Sequence, residues 1–376
     1  MKLDAKWLDE FQLLDATEKN PRGSPPAKKL SFLLRPAFIA APKKTLVWGD
    51  WANIEARVTP WLADSPGGEA KLDIFRESDE DPTKPDVYVR TAAPLIKSGP
   101  LAGLTGEELW AIYRDKTHPL NKDAKDGRQS RGKVPELSLT FGGGVGALIA
   151  MGVNYRVYVD PVTAKEVVAG WRSENQWALD FWGAHGRKGS YGLWGAANSA
   201  IENPDDICTA GRVAFVYDRS YLGGTLFMAL PCGRLLTYPG IKWEWREVED
   251  KKTKKLVDRY QMTYRKGYAR STLWYGKFAE NATQATAASV LRRTLKRLDF
   301  EMTWAGSYSL GENDLSDWMP VVMHTHDEVV AQCLEEDAGA AAKVLTEEME
   351  RNDDWDAGLP LKADIKINWE YTKRGD

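Results

Sequence analysis

Two separated acidic stretches carry residue types that could do chemistry. In "VVMHTHDEVVAQC" (321 to 333), Asp327 and Glu328 interrupt an alternating apolar run, with His324 and His326 just ahead. In "VWGDWANIEARV" (47 to 58), an apolar run ends on Asp50, and Glu55 and Arg57 follow within two helical turns. Each acid alone has an ordinary use. Asp327 and Glu328 suit a solvated tight turn, and Asp50 suits the cap of the helix after it. If both strand ends met at one edge of one sheet, however, Asp50 and Asp327 would hold a pair of hard divalent ions. Mg²⁺ is usually bound by one or two carboxylates together with substrate phosphates. A pair of such ions serves in-line phosphoryl displacement. The two histidines have no partner at zinc spacing, so zinc is the weaker choice.

A third stretch, "DGRQSRGKVPELSLTFGGGVGAL" (126 to 148), supplies cations. Arg128, Arg131 and Lys133 precede a short helix, where backbone N–H groups and basic side chains can together receive phosphates. The alternative is a solvated basic turn, and the glycine run beyond Phe141 decides nothing alone. In "ENATQ" (280 to 284), Asn281 and Gln284 begin a helix, where amides cap or contact bases. In "RRTLKR" (292 to 297), Arg292 and Lys296 share one helix face and Arg293 and Arg297 another.

The elements around these residues follow from pattern. "KTLVWGD" (44 to 50) predicts a buried strand and "NIEARVTPWLA" (53 to 63) a helix starting about one turn later. Residues 64 to 86 are acidic and turn-rich and predict an exposed excursion. Residues 87 to 183 predict helices interrupted by "FGGGVGA", including 105 to 115 and 163 to 182. Residues 225 to 275 predict strands, with a charged tip "DKKTKK" (250 to 255). A helix over 279 to 299, the "VVMHTHDEVVAQC" hairpin, a helix over 336 to 351 and a strand over 361 to 371 complete an α+β order with a helical insertion. Residues 20 to 29, "NPRGSPPAKK", predict a linker.

Composition excludes little. A chain of 376 residues with 43% hydrophobic content supports two or three subdomains, and a net charge of −3 confines any basic surface to local patches. Cys208, Cys232 and Cys333 show no metal or CxxC spacing, which predicts a reduced cytoplasmic setting. No apolar run resembles a signal peptide or membrane span, so no membrane partner is expected.

Taken in order, these stretches resemble the family A DNA polymerases, the DNA polymerase I group, and most closely their phage members. "DWANIEARV" resembles motif A, "GKVPELSLTFGGGVGAL" motif B on the fingers helix, and "HTHDEVV" motif C. "LPCGRLLTYPGI", "AENATQATAASVL" and "LPLKADIKINWEY" resemble the surrounding palm segments. The resemblance runs from about residue 30 to the end. It implies a palm with an antiparallel sheet and a helical fingers subdomain; family members also carry a thumb before motif A, and with only 49 residues ahead of Asp50 the thumb is expected to be absent. Its divisions would be 1–29 (N-terminal segment and linker), 30–86 (palm, motif A), 87–222 (fingers, motif B) and 223–376 (palm, motif C).

By matching position, the resemblance makes Asp50 and Asp327 the metal-binding carboxylates of two Mg²⁺ ions, with Mn²⁺ as a substitute, and the Trp51 carbonyl a further ligand. Glu328 becomes a supporting acid and His326 a neighbour of the primer terminus. Glu55 discriminates against a ribose 2′-OH, Lys133 meets the nucleotide triphosphate, and Phe141 lies near the templating base. Asn281 and Gln284 contact DNA in the minor groove, and Arg292 is a phosphate candidate. Gln129 stands where the family usually has arginine, leaving Arg128 and Arg131 as alternatives for phosphate. Leu137 replaces a frequent aromatic. Pro135, two residues after Lys133, predicts a late start or kink in the fingers helix. The implied partners are primer-template DNA, dNTPs and a separately encoded N-terminal thumb or exonuclease chain, in phage replication within the bacterial cytoplasm. The rival readings are a two-metal nuclease and a non-catalytic DNA-binding subunit.

Overall fold

The computed structural model describes residues 34–183, 191–250, 255–304 and 318–372. The expected linker at 20 to 29 and residues 251–254 of the charged tip lie outside them. The architecture is α+β, with three antiparallel sheets and a helical region between the first strand and the rest.

β1 (Lys44–Trp51) is buried along most of its length because helices cover one face and a chain segment the other. On the first face, Gly49 allows close approach: a Cβ there would meet Met349 Sδ at 2.3 Å. On the second, Leu46 and Trp48 pack with Val330 and Tyr371. α1 (Ile54–Ala63) begins after Asn53, which adopts a left-handed conformation (φ 56°).

The excursion expected over 64 to 86 is instead mostly helix, α2 (Pro66–Glu80). Ser65 Oγ accepts from Gly68 N at 3.2 Å and Pro66 occupies the first turn, a start signal that outweighs the acidic composition. Leu72 and Phe75 point inward, and Arg57 fastens α2 to α1. Its guanidinium binds Asp79 at 2.5 and 2.8 Å and lies 4.4 Å from the Phe75 ring.

The helical insertion continues as α3 (Val87–Ala92), capped by Asp86, and α4 (Gly106–Arg114), where Thr105 and Glu108 form a reciprocal capping box. α5 (Asn121–Gly127) runs into a π-helical segment, Arg128–Lys133, and then α6 (Val134–Leu139). The irregularity anticipated at Pro135 therefore takes the form of widened turns. Proline cannot donate to the carbonyl four residues back and its ring crowds that carbonyl, and π turns relieve both.

α7 (Val145–Asn154), α8 (Pro161–Glu174) and α9 (Gln176–Trp182) follow. The continuous helix expected over 163 to 182 breaks at Asn175, whose side chain bonds the Trp171 carbonyl at 2.9 Å. α10 (Gly192–Glu202) leads to β2 (Cys208–Ala210) and β3 (Val213–Asp218), two strands absent from the sequence expectation.

β3 pairs with β4 (Thr225–Ala229), which pairs with β5 (Leu235–Pro239), so one sheet spans residue 222, where the fingers were expected to end. β6 (Lys242–Glu249), β7 (Leu256–Lys266) and β8 (Ala269–Leu273) form another sheet. α11 (Tyr275–Trp304) is the long helix. β9 (Val321–Thr325), β10 (Glu328–Leu334), α12 (Ala338–Glu350) and β11 (Ala363–Asn368) complete the order. The central sheet runs β11-β1-β10-β9, so the first and last strands of the described chain lie side by side.

Packing at two glycines gives a testable contrast. A Cβ on Gly132 would sit 2.0 Å from the Tyr88 carbonyl oxygen, whereas one on Gly339 in α12 meets nothing within 4 Å. Gly132→Ala is expected to lower stability by about 1–3 kcal/mol through overpacking against α3. Gly339→Ala is expected to raise it by about 0.5–1 kcal/mol. Denaturant unfolding of both variants checks this pair of opposite signs.

Candidate active site

Antiparallel pairing sets the acidic end of the central sheet. Asp50 on β1 lies in register with Glu328 on β10 and with Asp364 on β11. Directly opposed residues of a sheet share a face, so these three carboxylates form one row. Beyond the row, the Trp51 N–H donates to the Asp327 carbonyl at 3.3 Å and so seats the hairpin turn against the end of β1. The indole of Trp51 is buried and donates to the Met349 carbonyl at 2.9 Å, fixing that strand end to α12.

The turn differs from expectation in one residue. Thr325 pairs with Glu328, so the tight turn is His326 and Asp327, while Glu328 is the first residue of β10. His326 takes φ 50°, an unusual backbone for a non-glycine residue. Asp327 and Asp50 stay partly exposed, whereas Glu328 is 2% exposed. Its carboxylate is received by Arg35 at 2.8 and 3.1 Å and by the Tyr371 hydroxyl. Burial, reinforced by the Glu328 hydrogen bond, pushes the Tyr371 phenol well above its usual range. Arg35 and Tyr371 were not singled out from sequence, because nothing local marks residues whose shared partner, Glu328, lies 293 and 43 positions away.

α1 faces α11 beside this end. Glu55 accepts from Gln284 Nε2 at 3.3 Å, and Thr59 and Thr283 hydroxyls meet at 3.0 Å. Burial raises the Glu55 carboxyl above its ordinary range; the Gln284 hydrogen bond opposes this, and the charges of Asp327 and Glu280 add to it. Asp327 is thus close enough to Glu55 to be felt. Asn281 donates to the Tyr238 hydroxyl at 3.0 Å, and Gln284 is exposed. On the same helix Arg292 and Lys296 are exposed, while Arg293 and Arg297 are buried in ion pairs with Asp356 and Asp353.

The basic stretch reaches the acidic end through one tyrosine. Lys133 Nζ lies 5.9 Å from the Tyr88 ring and 5.2 Å from the Tyr155 ring. Tyr88 Oη donates to Asn53 Oδ1 at 2.5 Å, three residues after Asp50. The two arginine candidates differ in their contacts. Arg128 pairs with Asp86 and stacks over Tyr88 and Tyr113. Arg131 lines a cavity of about 200 Å³ with Ser98, Asp123 and Gly127, and burial lowers its pKa. Phe141 is partly buried, and its carbonyl lies where a Cβ on Gly276 would be 2.1 Å away, so the glycine run packs against the start of α11.

Among the described residues, no group of three or more His, Cys, Asp or Glu side chains converges as a metal site. The candidate donors are two carboxylates at neighbouring strand ends and a main-chain carbonyl. That sparse oxygen set fits Mg²⁺, which keeps waters and takes remaining ligands from substrate phosphates, better than a fully enclosed cage would. Among the described residues, no helix is long and apolar enough to cross a membrane.

No protein-family model matches the chain. It is similar to the DNA polymerase of Bacillus phage SP02, with 30% identity over 347 residues, covering 92% of this chain and 44% of that polymerase. Among solved structures it is similar to the POL domain of Pol1 from M. smegmatis in complex with DNA primer-template and dNTP. That likeness has a TM-score of 0.49 and 14% identity, covering 90% of this chain and 42% of the other. The chain therefore spans less than half the length of the phage polymerase it matches, and it is similar to that polymerase over nine-tenths of its own length.

Proposed function

We propose that this chain is the palm and fingers portion of a family A DNA polymerase that transfers nucleotides from dNTPs to a primer 3′-hydroxyl in phage DNA replication. The observation that carries the reading is the strand-end pairing of β1 and β10 in a relative of a phage DNA polymerase. The Trp51-to-Asp327 main-chain bond holds the Asp327 turn against the end of the Asp50 strand.

In this reading Asp50, Asp327 and the Trp51 carbonyl hold two Mg²⁺ ions, for which Mn²⁺ can substitute. Bound there, the ions supply Lewis acidity to the attacking and leaving oxygens of phosphoryl transfer. Glu328, committed to Arg35 and Tyr371, fixes the start of β10 and with it the turn that presents Asp327. His326 borders the primer terminus. Lys133 neutralises triphosphate charge, and Tyr88, bonded to Asn53, keeps that cation in line with the acidic end. Arg128, paired with Asp86, is better suited to orienting the helix than to receiving phosphate, and Arg131 is left to contact nucleotide only after a rearrangement.

Glu55 fills the space where a ribose 2′-hydroxyl would lie, with Gln284 holding its carboxyl. Phe141 flanks the templating base. Asn281 and Gln284 meet the minor groove, whose acceptors at N3 and O2 are common to all base pairs and suit an enzyme without sequence preference. Exposed Arg292 adds a phosphate contact.

Asp50→Asn and Asp327→Asn are each expected to reduce primer extension with dNTPs and Mg²⁺ by about 10³-fold or more while leaving the melting transition in place. Primer shortening in place of extension would establish a nuclease, and DNA binding with unchanged primer would establish a binding subunit. Glu55→Ala is expected to raise ribonucleotide incorporation relative to deoxyribonucleotide by about 10-fold or more, since a packing exclusion is removed. Single-nucleotide incorporation with matched rNTP and dNTP pairs reads this ratio directly.

A further inference from the structure

A buried ion pair joins α2 to α6, away from the acidic end. Lys71 Nζ donates to Glu136 Oε1 at 2.6 Å, with the two side chains 8% and 3% exposed. The same oxygen accepts from Thr91 Oγ1 at 2.6 Å and from Trp171 Nε1 at 3.2 Å, and Lys71 also donates to Thr91 at 3.2 Å. Four helices thus meet on one carboxylate: α2, α3, α6 and α8.

Burying such a pair costs desolvation that an apolar contact of similar volume would avoid, so stability alone is a weak reason for it. A directional, hydrogen-bonded pair does add a defined register between the helices it joins. Glu136 lies three residues after Lys133, on the α-helical side of the π segment. Lys71 lies on α2, which the Arg57–Asp79 pair clamps to α1, and α1 follows directly from the Asp50 strand. A continuous chain of bonded contacts therefore runs from the acidic strand end to the helix that carries Lys133.

We infer that Glu136, held by Lys71, is a positioning residue: it sets the register of Lys133 relative to Asp50 and Asp327, and through that lysine the seat of the nucleotide triphosphate. The inference rests on the reading of Lys133 as the triphosphate cation. It acts through Lys133 and not through contact with substrate, so its loss belongs mainly in nucleotide affinity.

The test uses the full chain and its Glu136→Gln, Lys133→Ala and doubly substituted forms, with melting temperatures measured for each. Affinity for dNTP is read by tryptophan fluorescence on a chain-terminated primer-template, and extension is read separately on an ordinary primer. Glu136→Gln is expected to weaken dNTP affinity and raise KM by about 10- to 100-fold, with kcat changed less. The double variant is expected to be no weaker than Lys133→Ala alone, because both changes remove one effect. Should Glu136→Gln fail to melt cooperatively, Lys71→Met with Glu136→Leu, which removes both charges and keeps the volume, takes its place. Unaltered dNTP affinity, or losses that add to those of Lys133→Ala, would overturn the inference, as would absence of dNTP binding by the unaltered chain. Binding without extension would instead sink the polymerase reading and leave the positioning role measurable by affinity.

Discussion

The antiparallel pairing of β1 with β10 is the constraint on which the candidate site depends. It joins segments about 280 residues apart in sequence and puts Asp50 in register with Glu328. Side-chain direction in a sheet has a period of two, so a slip of one residue would turn Asp50 away from Glu328 and misplace the Asp327 turn. The sheet resists that slip because both its faces are covered. Val47 and Trp51 are buried toward the helices, and Leu46 and Trp48 toward Tyr371. Gly49 fits only where Met349 and Ile365 crowd it. Register here is a property of the whole core, and the acids inherit it.

The helical insertion is tied to this sheet by ionic and aromatic contacts as well as by apolar packing. Arg57 binds Asp79 and covers Phe75, joining α1 to α2; Tyr88 joins α3 to Asn53; Lys71 joins α2 to α6. Each of these side chains is long or carries a polar tip, and each reaches from one element into another. Geometry at the basic stretch is therefore set by specific partners as well as by volume. The π segment fits the same account. It accommodates Pro135 and lets Gly132 lie against the Tyr88 carbonyl, so the distortion in the helix lies beside the tyrosine that approaches Lys133.

The parts of the fold written in local pattern were legible in the sequence. The β1 strand, the helix after Asp50, the Thr105 helix start, the strands from Thr225 onward and the 321 to 334 hairpin all depend on alternation or capping within a few residues. The failures have local causes too. Over 66 to 80 the acidic, glycine-rich composition concealed a helix whose Ser-Pro start and Leu72–Phe75 spacing were present in the sequence. β2 has only three residues, too few for alternation to stand out, and β3 reads as a nearly continuous apolar run, VAFVYD, without the polar alternation that marks a strand. Sequence marked the acids, the basic stretch and Gln284 but gave no sign of Arg35, Tyr371, Lys71 or Asn53, whose importance lies in distant partners. It also treated Arg128 and Arg131 as equals, whereas contacts with Asp86 and with a separate cavity distinguish them.

The adjacent acids Asp327 and Glu328 show why spacing alone could not assign roles. Next to each other in the chain, they fall on either side of the strand boundary: one in the turn and partly exposed, the other the first residue of β10 and buried. A buried carboxylate without compensation would be strongly unfavourable, and Glu328 is compensated by a guanidinium and a phenol. Those bonds occupy its oxygens and tie residues near both ends of the described chain to the hairpin. Asp327 has no need of such compensation, because its position in the turn leaves it in contact with solvent. The difference follows from burial: the enclosed acid holds the turn in place, and the open acid stays accessible to solvent.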